Sequence, residues 1–157
     1  MDKELDLKNT LSNYINDDNY KNMIKPIENL NYRNKTEYTI GYNVNRQIDI
    51  GIYYKKGSRD IKSVEFHQLG SNLSKNIAID IRDWIREKSK FLIYQFKSNT
   101  GFWHEVCIRE NKNKEVMLIF KLDDKCIKYK NLKDELFKLF IHFNNLNYKI
   151  ISIYYLI

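Results

Sequence analysis

The chain has 157 residues, 43% of them hydrophobic and 30% charged, and carries a formal net charge of +7. This length is typical of one domain, and the hydrophobic share is enough to build a buried core. A basic chain suits a polyanionic partner, because each Lys or Arg placed on a phosphate releases counterions. Charge alone is weak support here, since abundant Asn, Lys, Ile and Tyr are also typical of an AT-rich genome.

The cysteines and the N-terminus narrow the class of protein further. Cys107 and Cys126 are too few and too widely spaced for a disulfide framework or a metal knuckle. We therefore expect reduced thiols in an intracellular protein, and the sequence does not indicate which compartment. Residues 1–6 contain acidic residues and no apolar run, which argues against a signal peptide. No apolar stretch approaches the roughly 20 residues that span a bilayer, so no membrane partner is expected.

The N-terminal segment is predicted to be a short helix. Its apolar residues recur near helical spacing over residues 3–15, and polar residues 16–22 are typical of a loop. We therefore divide the chain into an N-terminal helix and loop, residues 1–21, and a single domain, residues 22–157.

A hairpin is predicted at the start of that domain. Residues 32–42 alternate with period two and are rich in residue types that favour strands. That period puts Arg33, Lys35 and Glu37 on one face of the strand. A turn and a second strand, residues 48–54, complete the hairpin.

The remainder predicts a basic loop, a short strand, a helix, two paired strands, a second helix and a last strand. For the first helix, Asn72 or Ser74 is the expected N-cap. Strands separated by two long helices predict an α+β fold, a mainly antiparallel sheet with both long helices on one face, plus the short N-terminal helix. The elements are predicted at residues 55–60, 61–66, 72–85, 102–109, 115–120, 131–144 and 148–157.

The sequence shows no active site of its own. It has no Gly-rich nucleotide-binding fingerprint, because its five glycines are isolated. His67, His104 and His142 fall on different predicted elements and are interpreted as surface or structural residues, so no metal site is predicted. Cys107 in a strand and Cys126 in a loop lack a neighbouring base, so no catalytic residue is assigned.

An RNA-binding surface is one of two interpretations of the remaining cations and aromatic residues. Arg33, Lys35 and the 55–59 loop would follow a phosphate backbone, and five aromatic side chains would stack on unpaired bases. In the alternative, the aromatic residues form the core and the lysines only solvate loops, and the pattern alone slightly favours this alternative. The aromatic residues in question are Tyr38, Tyr53, Tyr54, Phe102 and Trp103.

Residues 32–41 read Tyr-Arg-Asn-Lys-Thr-Glu-Tyr-Thr-Ile-Gly. This segment is similar to the opening motif of the central domain in the S-adenosylmethionine-dependent uracil-5 methyltransferases of tRNA and rRNA, which make 5-methyluridine. Residues 50–58, 61–67, 101–109 and 117–120 are similar to the segments that follow. The resemblance covers about residues 22–157.

The resemblance implies that the chain is the central, RNA-binding domain of such an enzyme, recognising substrate RNA, with the tRNA T-arm as the expected partner. The catalytic nucleophile and S-adenosylmethionine would belong to a Rossmann-like domain, in cis or in trans, that is not in these residues. Whether the chain counts as an enzyme is therefore open, and no cofactor is expected in it. A stand-alone interaction module, a degenerate or split paralogue binding a protein or RNA, remains the alternative. The expected RNA-binding residues are Arg33, Lys35, Glu37, Lys55, Lys56, Arg59 and Arg109.

Overall fold

The computed structural model describes residues 9–10, 30–123 and 132–157. The helix predicted over residues 3–15 lies almost wholly outside these ranges, as does Cys126. Within them, six strands and two helices follow one another. In chain order they are β1 Lys35–Tyr42, β2 Ile48–Tyr53, β3 Ile61–Ser63, α1 Asn72–Glu87, β4 Trp103–Glu110, β5 Val116–Leu122, α2 Leu132–Asn145 and β6 Ile150–Leu156.

The six described strands form one sheet in the order β3-β2-β1-β4-β5-β6. Neighbours pair antiparallel except β5 and β6, which are parallel and joined through α2. The predicted α+β class and mainly antiparallel sheet are confirmed. Strand β1, the first along the chain, lies in the interior of the sheet, where Lys35 pairs with Arg109 and Glu37 with Cys107 of β4.

One face of the sheet is covered by both helices, as predicted. In β1 the side chains of Thr36, Tyr38 and Ile40 are buried there, while Lys35 and Glu37 are exposed on the opposite face, which we call the open face. Burying a large apolar side chain completely stabilises the fold by about 1.5–3 kcal/mol. The core under the helices includes Ile77, Ile81, Trp84, Val106, Ile108, Leu118, Phe120, Leu139 and Phe143.

Helix α1 begins at Asn72 as predicted, but its N-cap is a different residue. The N-cap is Ser71 rather than Asn72 or Ser74, because Ser71 has extended backbone angles and its hydroxyl oxygen accepts the Ser74 amide at 3.0 Å. Ser74 instead donates its hydroxyl to the Ser71 carbonyl. Such a cap contributes about 1 kcal/mol. The strand predicted at residues 61–66 is also shorter, since a 3-10 turn at Val64–Phe66 buries Val64 and leaves the sheet edge.

Ser89, just after α1, links three elements. Its hydroxyl donates to Glu135 of α2 at 2.7 Å and accepts the indole N–H of Trp103 at 2.9 Å. It also accepts the backbone amide of Phe91 at 3.1 Å. Because Trp103 and Glu135 are both buried, these bonds satisfy polar groups that would otherwise be costly to desolvate. Ser89 thus fixes where the chain turns from α1 toward β4.

Candidate nucleic-acid interface

The open face carries charges of both signs. Lys35 Nζ lies 2.7 Å from Oε1 of Glu37, and Arg109 is the residue paired with Lys35 across β1 and β4. The hydrogen bond and charge of Lys35, aided by Arg109 and Lys121, hold the pKa of Glu37 below its usual value. Lys121 Nζ also lies 3.5 Å from Oε2 of Glu105. The cations here are therefore partly neutralised within the sheet.

Arg33 does not share the face that its period-two spacing predicted. Strand β1 begins only at Lys35, and a bend at Asn34 separates the two residues. Arg33 instead forms an isolated parallel bridge with Gly70. Burial, followed by the charge of Arg33, lowers the pKa of His67, whose Nδ1 lies 3.1 Å from the hydroxyl of Tyr38 on the covered face. The expectation of one shared face therefore holds for Lys35 and Glu37 and is wrong for Arg33.

The basic loop between β2 and β3 is compact and exposed. The amide of Ser58 donates to the carbonyl of Lys55 at 3.0 Å, and Gly57 supplies the positive φ of 80° that this turn requires. Lys55 and Lys56 are exposed at its tip. Arg59 turns back toward the sheet, with its guanidinium carbon 5.4 Å from the ring centre of Phe96.

A cleft of about 260 Å³ lies beside Arg59. One wall is a small hairpin, residues 93–100, in which Gln95 and Thr100 exchange backbone hydrogen bonds of 2.7 and 3.4 Å. The floor is formed by β1 and the other wall by β2 and the residues before β3. We call it the hairpin cleft, and its basic and aromatic side chains are Arg46, Tyr53, Arg59, Tyr94, Phe96 and Lys97.

Two glycines allow the hairpin cleft to form. Gly101 has φ of +127°, and a Cβ there would lie 2.3 Å from the Ile93 carbonyl oxygen, so only glycine lets the 93–100 hairpin fold back against β4. A Cβ at Gly41 would lie 2.8 Å from Cγ1 of Ile61 at the floor. The hairpin wall is braced by Tyr94 and Phe96, whose ring centres are 4.9 Å apart in a T-shaped contact.

Four residues of the hairpin cleft were not anticipated from the sequence: Arg46, Tyr94, Phe96 and Lys97. Arg46 belongs to the β1–β2 turn, and its Nη1 lies 3.7 Å from Oδ1 of Asp60. The other three belong to the 93–100 hairpin. The available signal was the apolar and aromatic run at residues 91–96 before a Ser-Asn-Thr-Gly turn sequence, which is typical of a strand that enters a hairpin.

Three of the aromatic residues considered for base stacking are in the core. Phe102 and Trp103 are 0% exposed and Tyr38 is 1% exposed, so none can meet a ligand. They are buried because they lie on the covered face or immediately before β4, where the helices pack. The hydroxyl of Tyr38 lies 3.1 Å from Nδ1 of His67. Tyr53 and Tyr54 are exposed, with Tyr53 lining the hairpin cleft.

The described residues show no arrangement for metal binding and no membrane span. Among them, no group of three or more His, Cys, Asp or Glu side chains is placed to hold an ion. His67, His104 and His142 lie apart on separate elements, and burial lowers the pKa of each. Cys107 is half-buried on β4. Neither described helix is long and apolar enough to cross a bilayer.

Comparisons with known proteins point to the same class of enzyme that the sequence motifs resemble. No protein-family model matches the chain. Over 109 residues it is 29% identical to an uncharacterised RNA methyltransferase of Fusobacterium nucleatum subsp. nucleatum. The chain is therefore similar to an RNA methyltransferase. This confirms the resemblance predicted from the sequence.

A solved structure shows the same fold. The crystal structure of the Pyrococcus abyssi tRNA (uracil-54, C5)-methyltransferase in complex with S-adenosyl-L-homocysteine matches with a TM-score of 0.56 and 21% identity, over 76% of this chain. The matched parts cover 69% of this chain and 23% of the Fusobacterium methyltransferase, and 27% of the Pyrococcus chain. The chain therefore corresponds to about a quarter of either relative.

The sequence after β5 lacks the Gly-rich turn that a cofactor site of this topology uses. The parallel β5-α2-β6 unit is the topology in which nucleotide cofactors bind, at a Gly-rich turn after the first strand. Residues 123–131, which follow β5, contain no glycine. The first turn of α2 carries Asp134 and Glu135, and Glu135 is committed to Ser89 and the amide of Lys90.

Proposed function

We propose that this chain is the substrate-RNA recognition part of an RNA uracil-5 methyltransferase, and that its RNA is the T-loop arm of a tRNA. The observation that carries the proposal is the grouping of cations from separate segments around the open face and the hairpin cleft. Lys35 and Arg109 come from β1 and β4, and Arg59 from the β2–β3 loop. Arg46 and Lys97 line the hairpin cleft from two further segments.

The composition of this surface suits RNA better than a protein partner. Sequence-specific RNA recognition depends on cations for the phosphates and on aromatic planes for unpaired bases. Exposed Tyr53 and Phe96 lie among the cations of the hairpin cleft. The acidic partners Glu37 and Glu105 keep the open face from being uniformly basic, which favours a defined orientation of the bound strand over unspecific attraction.

A separate recognition domain also has a physical purpose in this chemistry. An enzyme that modifies a base takes the target nucleotide out of the stack, which costs unstacking and unpairing energy. Contacts to the rest of the RNA can offset that cost and hold the target in register. In the proposed enzyme, a catalytic domain in cis or in trans binds S-adenosylmethionine and performs the reaction, while this chain holds the RNA.

The test is binding of the purified chain to a tRNA T-arm hairpin at increasing salt. We expect affinity to fall steeply as salt rises, since phosphate contacts release counterions. Lys35→Ala and Arg109→Ala should each weaken binding, and Lys138→Ala, an exposed lysine on α2 across the sheet, is the matched control. Arg33→Ala is measured separately because Arg33 lies off the open face. Unchanged affinity in the Lys35→Ala, Arg109→Ala double variant would show that the open face does not bind RNA.

One feature favours the alternative, a stand-alone interaction module. Strand β6 is an edge strand of the described sheet, and Ile151, Tyr154 and Leu156 are exposed along it. Exposed apolar edges are a usual place for strand addition by a partner protein. In its protein-binding form, this alternative predicts no salt-sensitive RNA binding, and Leu156→Lys should weaken binding of the protein partner. The RNA proposal predicts that Leu156→Lys leaves affinity for the T-arm hairpin unchanged.

A further inference from the structure

We infer that the hairpin cleft is a receptor for one unpaired nucleotide, with the base held between Tyr53 and Phe96 and its flanking phosphates bound by Arg46, Arg59 and Lys97. This inference rests on the proposed function and deepens it, because it specifies RNA with an extruded base as the ligand. It places base recognition farther along the open face, at Thr39 and Tyr53, than the cations Lys35 and Arg109.

The small volume of the cleft limits the ligand that can enter it. Its volume of about 260 Å³ is below the roughly 300–1,000 Å³ typical of sites for drug-sized ligands. A paired duplex cannot enter such a space, whereas a base turned out of a loop can. Thr39 and Gln95 also line the cleft with a hydroxyl and an amide, groups that both donate and accept hydrogen bonds and can read a base edge.

The aromatic planes come from different walls. Tyr53 belongs to β2 and is 40% exposed, whereas Phe96 belongs to the 93–100 hairpin and is 42% exposed. Phe96 is held by Tyr94 and by His104, whose ring centre lies 5.3 Å away, so the ring is fixed before any ligand arrives. A fixed plane loses little conformational entropy when a base stacks on it.

The charges suit phosphates on either side of the base. Three cations and one carboxylate, Asp60, line the cleft, and Asp60 is paired with Arg46 at 3.7 Å. Arg59 lies against the Phe96 ring, a geometry that orients its planar guanidinium while leaving donors for a phosphate oxygen. Arg59 thereby connects the 93–100 hairpin, which carries Phe96, to the basic β2–β3 loop.

The experiment uses the full chain and a stem-loop RNA in which each loop position in turn is replaced by the fluorescent base 2-aminopurine. Stacking on an aromatic ring quenches this base, so we expect binding to quench it at one loop position. A fully paired duplex of the same length should bind about tenfold more weakly, since stacking of one base accounts for a difference of that order.

Variants locate the stacking base. Phe96→Ala and Tyr53→Ala should each lose the quenching and weaken stem-loop binding about tenfold, whereas Phe96→Trp should keep both. Phe137→Ala, an aromatic 61% exposed on α2, is the matched control and should change neither. Because Phe96 and Tyr53 are both partly exposed, removing them should leave the fold intact, which thermal unfolding verifies.

The outcomes separate the two proposals. If the chain binds the stem-loop but Phe96→Ala and Tyr53→Ala behave as the parent chain, the cleft is not the receptor while RNA recognition stands. Equal affinity for the paired duplex would also overturn the receptor and leave RNA recognition intact. If the chain binds neither RNA, both proposals are wrong.

Discussion

The guanidinium of Arg59 lies against the ring of Phe96, 5.4 Å from its centre, although the two residues are far apart in sequence. The contact joins the basic β2–β3 loop to the 93–100 hairpin. It brings these two connecting segments together as walls of one cleft. Loops held in this way are common carriers of binding function, because a rigid sheet fixes their ends.

Arg59→Ala should weaken binding to a T-arm hairpin and reduce the steepness of its salt dependence by about one counterion, since one phosphate contact is lost. Arg59→Lys keeps the charge and loses the planar stack, so an intermediate affinity is expected. Fluorescence anisotropy titrations at several salt concentrations measure both quantities. Lys138→Ala is the control, and an equal loss in that variant would mean that Arg59 acts only through net charge.

Glu37→Gln should strengthen RNA binding, whereas Lys35→Ala should weaken it. The Glu37 carboxylate lies 2.7 Å from Lys35 Nζ and competes with phosphate for it. Removing that negative charge should strengthen RNA binding by an amount of the order of an exposed ion pair, about 0.2–1 kcal/mol. The same titrations apply. Weaker binding by Glu37→Gln would instead identify Glu37 as a direct acceptor for an RNA donor.

Ser89→Ala should destabilise the fold without a direct effect on RNA contacts. It leaves the indole N–H of buried Trp103 without its partner, which costs roughly 1–3 kcal/mol for an unsatisfied buried group, and it removes one of the two hydrogen bonds that Oε1 of buried Glu135 accepts. Urea unfolding measures the loss. Ser98→Ala, in the exposed 93–100 hairpin, is the control. Its free energy of unfolding should be within about 0.5 kcal/mol of that of the parent chain.

Stability should fall as the pH drops through the histidine range. Burial, with the charges of Arg33 and Lys75, lowers the pKa of His67, so the folded state binds fewer protons there than the unfolded state. The stabilisation is therefore complete above the unfolded pKa of about 6.5 and is lost below it.

His67→Gln tests this pH dependence, because glutamine can still bond the Tyr38 hydroxyl but does not titrate. Urea midpoints are compared at about pH 7.5 and about pH 5.5, on either side of the usual histidine pKa. The parent chain should lose more stability between them than the variant. Identical losses would show that His67 does not contribute.

Local pattern was enough to predict most elements. The period-two alternation at residues 32–42 and the helical spacing of Ile77, Ile81 and Trp84 each reflect one buried face, so β1 and α1 were predictable. The pairing of strands across the sheet was not predictable. No local sequence pattern indicates that β1 lies between β2 and β4, or that β6 runs parallel to β5. Those arrangements depend on contacts distant in sequence.

The candidate site was only partly predictable for the same reason. Lys35, Lys55, Lys56 and Arg59 could be singled out as cations near strand ends. The bend at Asn34, which separates Arg33 from the open face, has no signal in the alternation. The hairpin cleft depends on Gly101 folding residues 93–100 back toward β1 and β2, so its aromatic side chains become neighbours only in the fold.

The most direct test of RNA recognition is to map amide chemical-shift changes in the isotope-labelled chain as a T-arm hairpin is added. We predict changes concentrated at Lys35–Tyr42, at residues 55–60 and at residues 93–100, with α1 and α2 unaffected. Changes concentrated on the exposed sides of α1 and α2, or no changes at all, would contradict the assignment of this face to RNA.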